Sequence, residues 1–117
     1  MRVELPWPPS ALSPNVAHKA HWRRTQGAAK AYKGDCLILC RSQGLGKADV
    51  EALHLSIRFC PPDRRRRDLD GMLSSIKHGI DAISETIGVD DFHFGFTLTR
   101  GEPVKGGVVQ VTISEAA

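Results

Sequence analysis

The chain has 117 residues, of which 41% are hydrophobic and 25% charged, and this length and balance suit one soluble globular domain spanning residues 1–117. Its apolar runs are too short to cross a membrane, and Pro6, Pro8 and Pro9 interrupt the region where a secretory signal would need an apolar core. We therefore expect no membrane association and a cytoplasmic protein.

The net charge of +3 hides an uneven distribution along the chain. Residues 1–80 carry 14 Lys and Arg against 7 Asp and Glu, which gives +7, whereas residues 81–117 carry 2 against 6, which gives −4. A surface that binds phosphate groups is therefore expected in the first two-thirds of the chain.

Hydrophobic periodicity predicts the first three elements. Polar and apolar residues alternate over 2–5, a short strand that the prolines of PWPPS end, and a long loop follows to about Trp22. A helix is predicted over 26–42, with Thr25 as its N-cap and with Gly44 and Gly46 as its stop. A half-buried strand is predicted over 53–59, ending before two prolines.

The second half of the chain is predicted to contain one helix and two strands. Apolar residues spaced by three and four predict an amphipathic helix from Asp68 to Ile87, closed by Gly88. Alternating patterns predict strands over 92–98 and 109–113. The order β-α-β-α-β-β indicates an α+β fold, a single domain with one mixed sheet and with helices packed on one face.

The cysteines and large aromatic residues have ordinary structural explanations. Cys36, Cys40 and Cys60 are an odd number and lack the spacing of a CxxC motif, so we interpret them as buried thiols. Core packing is the default expectation for three aromatic residues, with interface or junction stacking as alternatives: Trp7, Trp22 and Phe92.

The most informative segment is the run RRRRDLD at 64–70. In an extended segment residues i and i+2 point the same way, so Asp68 and Asp70 can present both carboxylates to one side. Mg²⁺ prefers hard oxygen ligands and typically takes one or two protein carboxylates together with water and phosphate oxygens. Four neighbouring arginines supply cations that bind phosphate. Together these residues favour phosphoryl-transfer chemistry on a nucleic acid.

A third carboxylate, Asp91, lies beyond the other end of the predicted helix. Pairing of the strand that follows it with the 53–59 strand is expected to place Asp91 near the end of that strand, where the Asp68 loop departs. On the helix, Lys77 lies two turns from Asp70 on the same face, where a lysine could hold a phosphate or stabilise a leaving oxygen.

Structural explanations remain for each of these residues. Asp68 suits a helix N-cap, Asp70 suits the positive end of a helix dipole, and Asp90 or Asp91 suits a turn. Lys77 and Asp81 could form an ordinary surface pair. The neighbouring arginines favour the chemical interpretation over these.

The ordered elements LPWPPS, PPDRRRRDLD, GVDD and RGEPVKGGVVQVTI cover nearly the whole chain. This set resembles the RusA family of Holliday junction resolvases, in particular members of phage or prophage type. The resemblance implies a homodimeric, Mg²⁺-dependent endonuclease, with Mn²⁺ able to substitute, that nicks four-way junction DNA symmetrically. It also implies three aspartates as metal ligands, which here are Asp68, Asp70 and Asp91.

The chain departs from the family pattern in two respects. The pattern continues DLDN with a lysine four residues after the second aspartate, whereas here Gly71 and Ser74 occupy those positions. Lys77 lies one helical turn further on and is the candidate to serve instead. The chain also has about two more residues between DLD and DD, so the end of its helix or the loop after it must be built differently.

The catalytic set is therefore predicted to be Asp68, Asp70, Asp91 and Lys77. Phosphate contacts are predicted, without reading of base sequence, from nine basic residues: Arg64, Arg65, Arg66, Arg67, Lys19, Arg23, Arg24, Lys30 and Lys33. The alternatives are a non-catalytic module that binds branched DNA, a nuclease that prefers flaps or forks, and a structural or regulatory protein of the same fold.

Overall fold

The computed structural model describes residues 1–14 and 22–116. They form four strands, three helices and two short 3₁₀ turns, at Ser10–Leu12 and Asp91–His93. In chain order the elements are β1 (Arg2–Pro6), α1 (Trp22–Ser42), β2 (Leu53–Cys60), α2 (Leu69–Ser75), α3 (Lys77–Ile87), β3 (Phe94–Arg100) and β4 (Val108–Glu115). The α+β class is confirmed, and the order agrees with the prediction except that the second predicted helix is divided.

The sheet is mixed and has the strand order β1-β4-β2-β3. β4 is antiparallel to both β1 and β2, whereas β2 and β3 are parallel, with Leu53 beside Phe94 and Phe59 beside Arg100. Because parallel strands need a crossover connection, α2 and α3 together form the crossover that carries the chain from the end of β2 to the start of β3. This crossover positions every aspartate of the predicted catalytic set.

The core lies between one face of the sheet and the helices. Apolar side chains at alternate strand positions are buried there, together with the isoleucines of the crossover: Val3, Leu5, Leu53, Leu55, Ile57, Phe59, Val109, Val111, Ile113, Ile76, Ile80, Ile83 and Ile87. The alternate strand residues on the opposite face are polar, among them Ser56, Thr97 and Thr112. The prediction that the helices pack on one face is confirmed.

Helix α1 differs from its prediction at its start and agrees at its end. The helix already includes Trp22, so Thr25 lies inside it, and its buried Oγ1 has no hydrogen-bond partner among the described residues. The predicted N-cap is therefore wrong. At the other end the Leu45 N–H donates to the Cys40 carbonyl at 2.9 Å and the Gly44 N–H to the Arg41 carbonyl at 3.0 Å. This is a Schellman motif, with Gly44 at a φ of +93°.

The crossover is divided at Ile76, where a single helix was predicted. Ile76 has φ −103° and ψ 14°, and its N–H bonds to the Leu73 carbonyl in a 3₁₀ manner. Just before it, the Ser75 hydroxyl donates to the Gly71 carbonyl at 2.9 Å, a bond of the kind that bends helices. The stop at Gly88 is confirmed, because this residue has φ +83° and its N–H bonds to the Ser84 carbonyl.

The three cysteines are free thiols in buried positions. Cys36 and Cys40 lie on α1 and Cys60 ends β2, so the prediction of buried thiols is confirmed. Burial raises the pKa of Cys36 to about 12 and also raises that of Cys40. In the described part of the chain, none of the helices is both long enough and apolar enough to cross a membrane.

Candidate active site

A groove of ≈ 320 Å³ runs along the crossover on the side of β3. Its wall contains three of the four predicted catalytic residues, and the full lining is Asp70, Leu73, Ser74, Lys77, Ile80, Asp91 and Phe96. The lining residues recur along α2 and α3 at helical spacing, and Phe96 on β3 forms part of the opposite side. The groove therefore has an apolar floor with charged groups placed along it.

Asp68 and Asp70 both lie where the chain enters α2, but only Asp70 lines the groove. Asp68 is exposed and is the N-cap residue of α2, and its side chain makes no capping hydrogen bond. Asp70 is exposed and its Oδ1 accepts from the Gly71 N–H at 2.9 Å. Both carboxylates thus keep oxygen lone pairs open to solvent, where a cation or a donor could approach.

Lys77 is the first residue of α3 and lines the same groove as Asp70 and Ser74. The break at Ile76 means that a continuous helical repeat does not relate Lys77 to Asp70, although both side chains reach the groove. Among the described residues no ion pair joins Lys77 to Asp81. Asp81 instead lies 3.8 Å from the His78 Nδ1. The surface pair considered as the alternative for Lys77 is therefore absent.

Asp91 lies at the far end of the groove, and the predicted route to it was wrong. It precedes β3, and because β3 runs parallel to β2, with Phe94 beside Leu53, Asp91 is near the start of β2. The Asp68 loop departs from the other end, after Cys60. Asp91 reaches the groove from its opposite end. The groove residues Asp70 and Ile80 are ten residues apart, a rise of about 15 Å along helices.

Asp91 is surrounded by like charge. Local desolvation of its exposed carboxyl raises its pKa, and the carboxylates of Asp81 and Asp90 raise it further. Asp90 is itself fixed, since its Oδ1 accepts from the Phe92 N–H at 2.8 Å and caps the 3₁₀ turn. Sequence reasoning missed Asp81 as a neighbour of Asp91. The helical spacing between Lys77 and Asp81 was noted in the sequence, but it was interpreted as a surface pair between these two residues and not as a contact of Asp81 with Asp91.

The donor types of the groove suit Mg²⁺, which prefers carboxylate oxygens. In the described ranges, however, no three His, Cys, Asp or Glu side chains lie close enough together to hold a metal ion. Each end of the groove offers carboxylates, Asp70 with Asp68 nearby at one end and Asp91 with Asp81 at the other. A single ion held by Asp68, Asp70 and Asp91 together stays a prediction.

The arginine arm, residues 63–70, leads from β2 into α2. Arg64, Arg65 and Arg66 are exposed, and Arg64 makes a solvent-exposed 3.7 Å contact with Glu102. Such an exposed pair is weak, about 0–1 kcal/mol, so these arginines are available to phosphates. Arg67 is different, since its side chain turns toward Asp63.

The predicted phosphate contacts on α1 are only partly free. Arg24 and Lys30 are exposed, and the Arg23 guanidinium lies 5.7 Å from the centre of the Trp22 ring. Lys33 forms a 2.9 Å ion pair with Glu85 and so joins α1 to α3. Lys19 lies outside the described residues.

The aromatic residues divide into one that packs on the core and two that do not. Trp7 is half-buried and packs against the core. Trp22 and Phe92 are 60% and 85% exposed, so the core assignment is wrong for both. Phe92 directly follows Asp91 and lies in the 3₁₀ turn. Because β3 begins only at Phe94, Phe92 is not part of the sheet.

The fold and the groove together define a small α+β domain with acidic groups along a groove and an arginine-rich arm at its entrance. No model of a known protein family matches the chain. An uncharacterized protein of Xylella fastidiosa is 35% identical over 116 aligned positions, and the alignment covers 96% of this chain and 74% of that protein.

The crossover junction endodeoxyribonuclease RusA of Escherichia coli K12 is 30% identical over 118 aligned positions, and the alignment covers 97% of this chain and 92% of that protein. The RusA enzyme of Enterobacteria phage 82 shares the same identity and coverage. The chain belongs to the RusA family of crossover junction endodeoxyribonucleases.

Proposed function

We propose that the chain is a structure-selective endodeoxyribonuclease that resolves Holliday junctions by paired symmetric nicks, as a homodimer and with Mg²⁺. The observation that carries this proposal is the groove, which brings Asp70, Lys77 and Asp91 to one surface at the end of the arginine arm. Membership of the RusA family supports the same activity.

The carboxylates are the groups that would hold the metal, Asp70 and Asp91 in the groove and Asp68 beside its entrance. When bound, Mg²⁺ supplies charge neutralisation at the phosphate and an activated water for in-line attack. The residues that line the groove would orient the phosphodiester along it. The apolar side chains of Leu73, Ile80 and Phe96 in the groove lining would strengthen electrostatic interactions by lowering the local dielectric constant.

Lys77 is proposed to stabilise charge on the scissile phosphate. Its ammonium lines the groove, and since no described carboxylate pairs with it, the cation is free to meet an incoming phosphate oxygen. The family pattern has its lysine at the position of Ser74, which lines the same groove. The two positions thus face the same space, which supports substitution of one for the other.

Binding of the junction arms is proposed to use the exposed arginines Arg64, Arg65 and Arg66, with Arg24 and Lys30 on α1. These side chains would contact phosphates and not bases, so binding would depend on shape and charge. A four-way junction has near two-fold symmetry, and an isologous dimer would present two equivalent grooves to two opposed strands.

The test is cleavage of a synthetic four-way junction, labelled on each strand, with Mg²⁺ or Mn²⁺ and with EDTA as the metal-free reference. We expect nicks at symmetric positions in two opposed strands and none in EDTA. A flap and a replication fork are compared at equal salt. Binding without nicking would favour the non-catalytic module, and faster cleavage of a flap or fork would reassign the substrate.

A further inference from the structure

The face of the sheet that carries no helices contains a depression of ≈ 230 Å³. The active-site groove runs along the crossover, on the helix side of the sheet, so the two surfaces lie on different faces. Two arginines and four hydroxyl side chains line the depression: Arg2, Arg58, Ser56, Thr97, Thr99 and Thr112. None of these residues belongs to the surfaces assigned above to cleavage or to DNA binding.

The register of the sheet places these side chains in two neighbouring rows. One row crosses all four strands and consists of Arg2, Thr112, Ser56 and Thr97. In the next row Arg58 lies between Gln110 on β4 and Thr99 on β3. Paired side chains on adjacent strands are about 5 Å apart at their Cβ atoms, so the long Arg58 side chain has hydroxyl groups within its reach.

The Arg58 guanidinium has no ion pair with any carboxylate of the described residues, and its side chain is exposed. Glu4, a carboxylate on the same face of the sheet, is engaged by other groups. Its Oε2 accepts from the Gln110 Nε2 at 3.0 Å and lies 3.7 Å from the Arg2 Nη2. Gln110 stands between Glu4 and Arg58 in the register. The fork of N–H donors on Arg58 is therefore available to a ligand.

The Arg58 side chain follows the main chain at Gly101. A Cβ on Gly101 would lie 2.5 Å from the Arg58 Nε and 3.1 Å from the Arg58 Cγ. The arginine thus occupies space that a side chain at residue 101 would fill, and this contact restricts its course across the sheet. A side chain that is restricted before binding loses less conformational entropy when it binds.

Three hydroxyl groups beside Arg58 also lack a partner within the described ranges, those of Ser56, Thr99 and Thr112. The Thr97 Oγ1 differs, because it lies 2.8 Å from the His54 Nε2. Threonine and serine are common on an exposed strand, so these hydroxyls alone would indicate nothing more. Their position around an arginine without a carboxylate partner is what points to an anion.

We propose that this depression binds a phosphate group, with Arg58 as its main cation and the neighbouring hydroxyls as further donors. Phosphate oxygens accept hydrogen bonds, and a planar guanidinium can bond two of them at once. The source that we infer is the backbone of a DNA arm, because β2 carries Arg58 toward the end from which the arginine arm departs. A small phosphorylated molecule offers the same chemistry. Only the choice of DNA as the source rests on the proposed function.

The first test titrates the protein with inorganic phosphate, against chloride at matched ionic strength, and follows its NMR spectrum. We expect saturable shifts of the Arg58 Nε–H and of the Ser56 and Thr99 amides that chloride does not produce. Arg58→Gln should abolish the amide shifts. Arg41→Gln is the matched control, since it removes the same charge from an exposed position at the end of α1. Absence of these shifts in the wild type, or their persistence in Arg58→Gln, would overturn the proposal.

The second test identifies the source of the phosphate by measuring junction affinity over a range of salt in EDTA. Loss of one phosphate contact with duplex DNA lowers the slope of log affinity against log salt by roughly 0.9. We expect this reduction for Arg58→Gln and none for Arg41→Gln. An unchanged slope in Arg58→Gln, with phosphate titration intact in the wild type, would assign the site to a small phosphorylated molecule. An equal reduction in both variants would show a general charge effect and overturn the DNA contact.

The third test removes a hydroxyl donor without changing the charge. Thr99→Val keeps the shape of the side chain, and we expect phosphate affinity to fall roughly threefold to tenfold while the salt slope stays unchanged. Thermal unfolding of each variant establishes that it is folded. Wild-type phosphate affinity in folded Thr99→Val would overturn the role of this hydroxyl as a donor.

The phosphate titration separates this proposal from the proposed function, because it uses neither DNA nor a metal ion. If the wild type cuts no junction, the proposed function fails while the titration still decides whether the depression binds phosphate. If the junction is cut and the titration shows no saturable shift at Arg58, the proposed function stands and the phosphate site does not exist.

Discussion

The two ends of the crossover use the same residue, aspartate, in opposite electrostatic settings. At the arginine arm, Asp63 bonds Arg67 and Arg65, and these bonds hold the pKa of its carboxyl below the ordinary value. At the other end, Asp91 is exposed, and local desolvation together with the neighbouring carboxylates of Asp81 and Asp90 raises its pKa. A carboxylate matched by arginine serves the local structure, whereas carboxylates that raise one another's pKa favour the binding of a cation.

The largest expected effect comes from Asp70→Asn. This change keeps the size of the side chain and an acceptor for the Gly71 N–H, but removes a charge from the groove. We expect single-turnover cleavage to fall on the order of a hundredfold or more, while junction affinity survives. Asp68→Asn should lower cleavage as well, because that carboxylate, beside the groove entrance, is also proposed to hold the metal. Near wild-type cleavage by Asp70→Asn would remove the groove from consideration as the active site.

Lys77 lies between the Asp70 end and the Asp91 end of the groove. Its substitution therefore tests whether the two ends act as one active site. Lys77→Ala should lose on the order of a hundredfold in single-turnover cleavage while binding the junction nearly normally, as expected for a group that acts mainly on transition-state charge. A Ser74→Lys, Lys77→Ala double variant moves the ammonium toward Asp70 and should restore part of the rate. Full activity in Lys77→Ala would leave the lysine without a role in cleavage.

Arg65 tests the availability of the arginine arm to DNA. Arg65→Ala should weaken binding of all junction sequences about equally and lower the salt slope by roughly 0.9, because the exposed side chain is expected to release counterions from a phosphate. Affinities measured over a range of salt on two junctions of unrelated sequence give both quantities. Weaker binding confined to one sequence would indicate base contacts instead.

The smallest effect is a dependence on pH at Asp63. Because its pKa is lowered in the folded chain, the stabilisation from its bond to Arg67 is fully present above the ordinary aspartate pKa. It is lost as the pH falls through the lower folded value. The Arg67 Cζ lies 5.5 Å from the centre of the Trp7 ring. In a Trp22→Phe background, acid titration should therefore show a change in Trp7 emission that is absent in Asp63→Asn. A midpoint at or above the ordinary aspartate pKa would contradict the lowered value.

Sequence patterns predicted the fold well because local periodicity and sheet packing agree. The alternating residues of β2 and β4 and the isoleucines of the crossover all bury the face that their spacing predicts. The break at Ile76 was missed, since the apolar stripe continues through it and only the hydroxyl bond of Ser75 marks it. Thr25 looked like an N-cap because threonine favours that position, but the helix already includes Trp22, three residues earlier.

The sequence predicted which residues share the site more accurately than it predicted how they are arranged. Asp70, Lys77 and Asp91 share the groove, but the route proposed for Asp91 required β3 to return alongside the helix start. The parallel pairing of β2 with β3 cannot be read from either strand alone. The inward turn of Arg67 is likewise a tertiary effect, because it depends on Trp7, far earlier in the chain, and nothing within RRRR distinguishes one arginine from the next.

The reactivity of the three buried cysteines can report local opening of the fold. A thiol with its pKa raised to about 12, as at Cys36, has almost no thiolate at neutral pH, and burial also denies it to alkylating reagents. Cys36 and Cys40 lie in the helical layer and Cys60 in the sheet, next to the arginine arm. Alkylation followed by mass spectrometry would therefore time the opening of the two layers separately. Faster labelling of Cys60 alone would show that the sheet loosens at the arm while the helices stay packed.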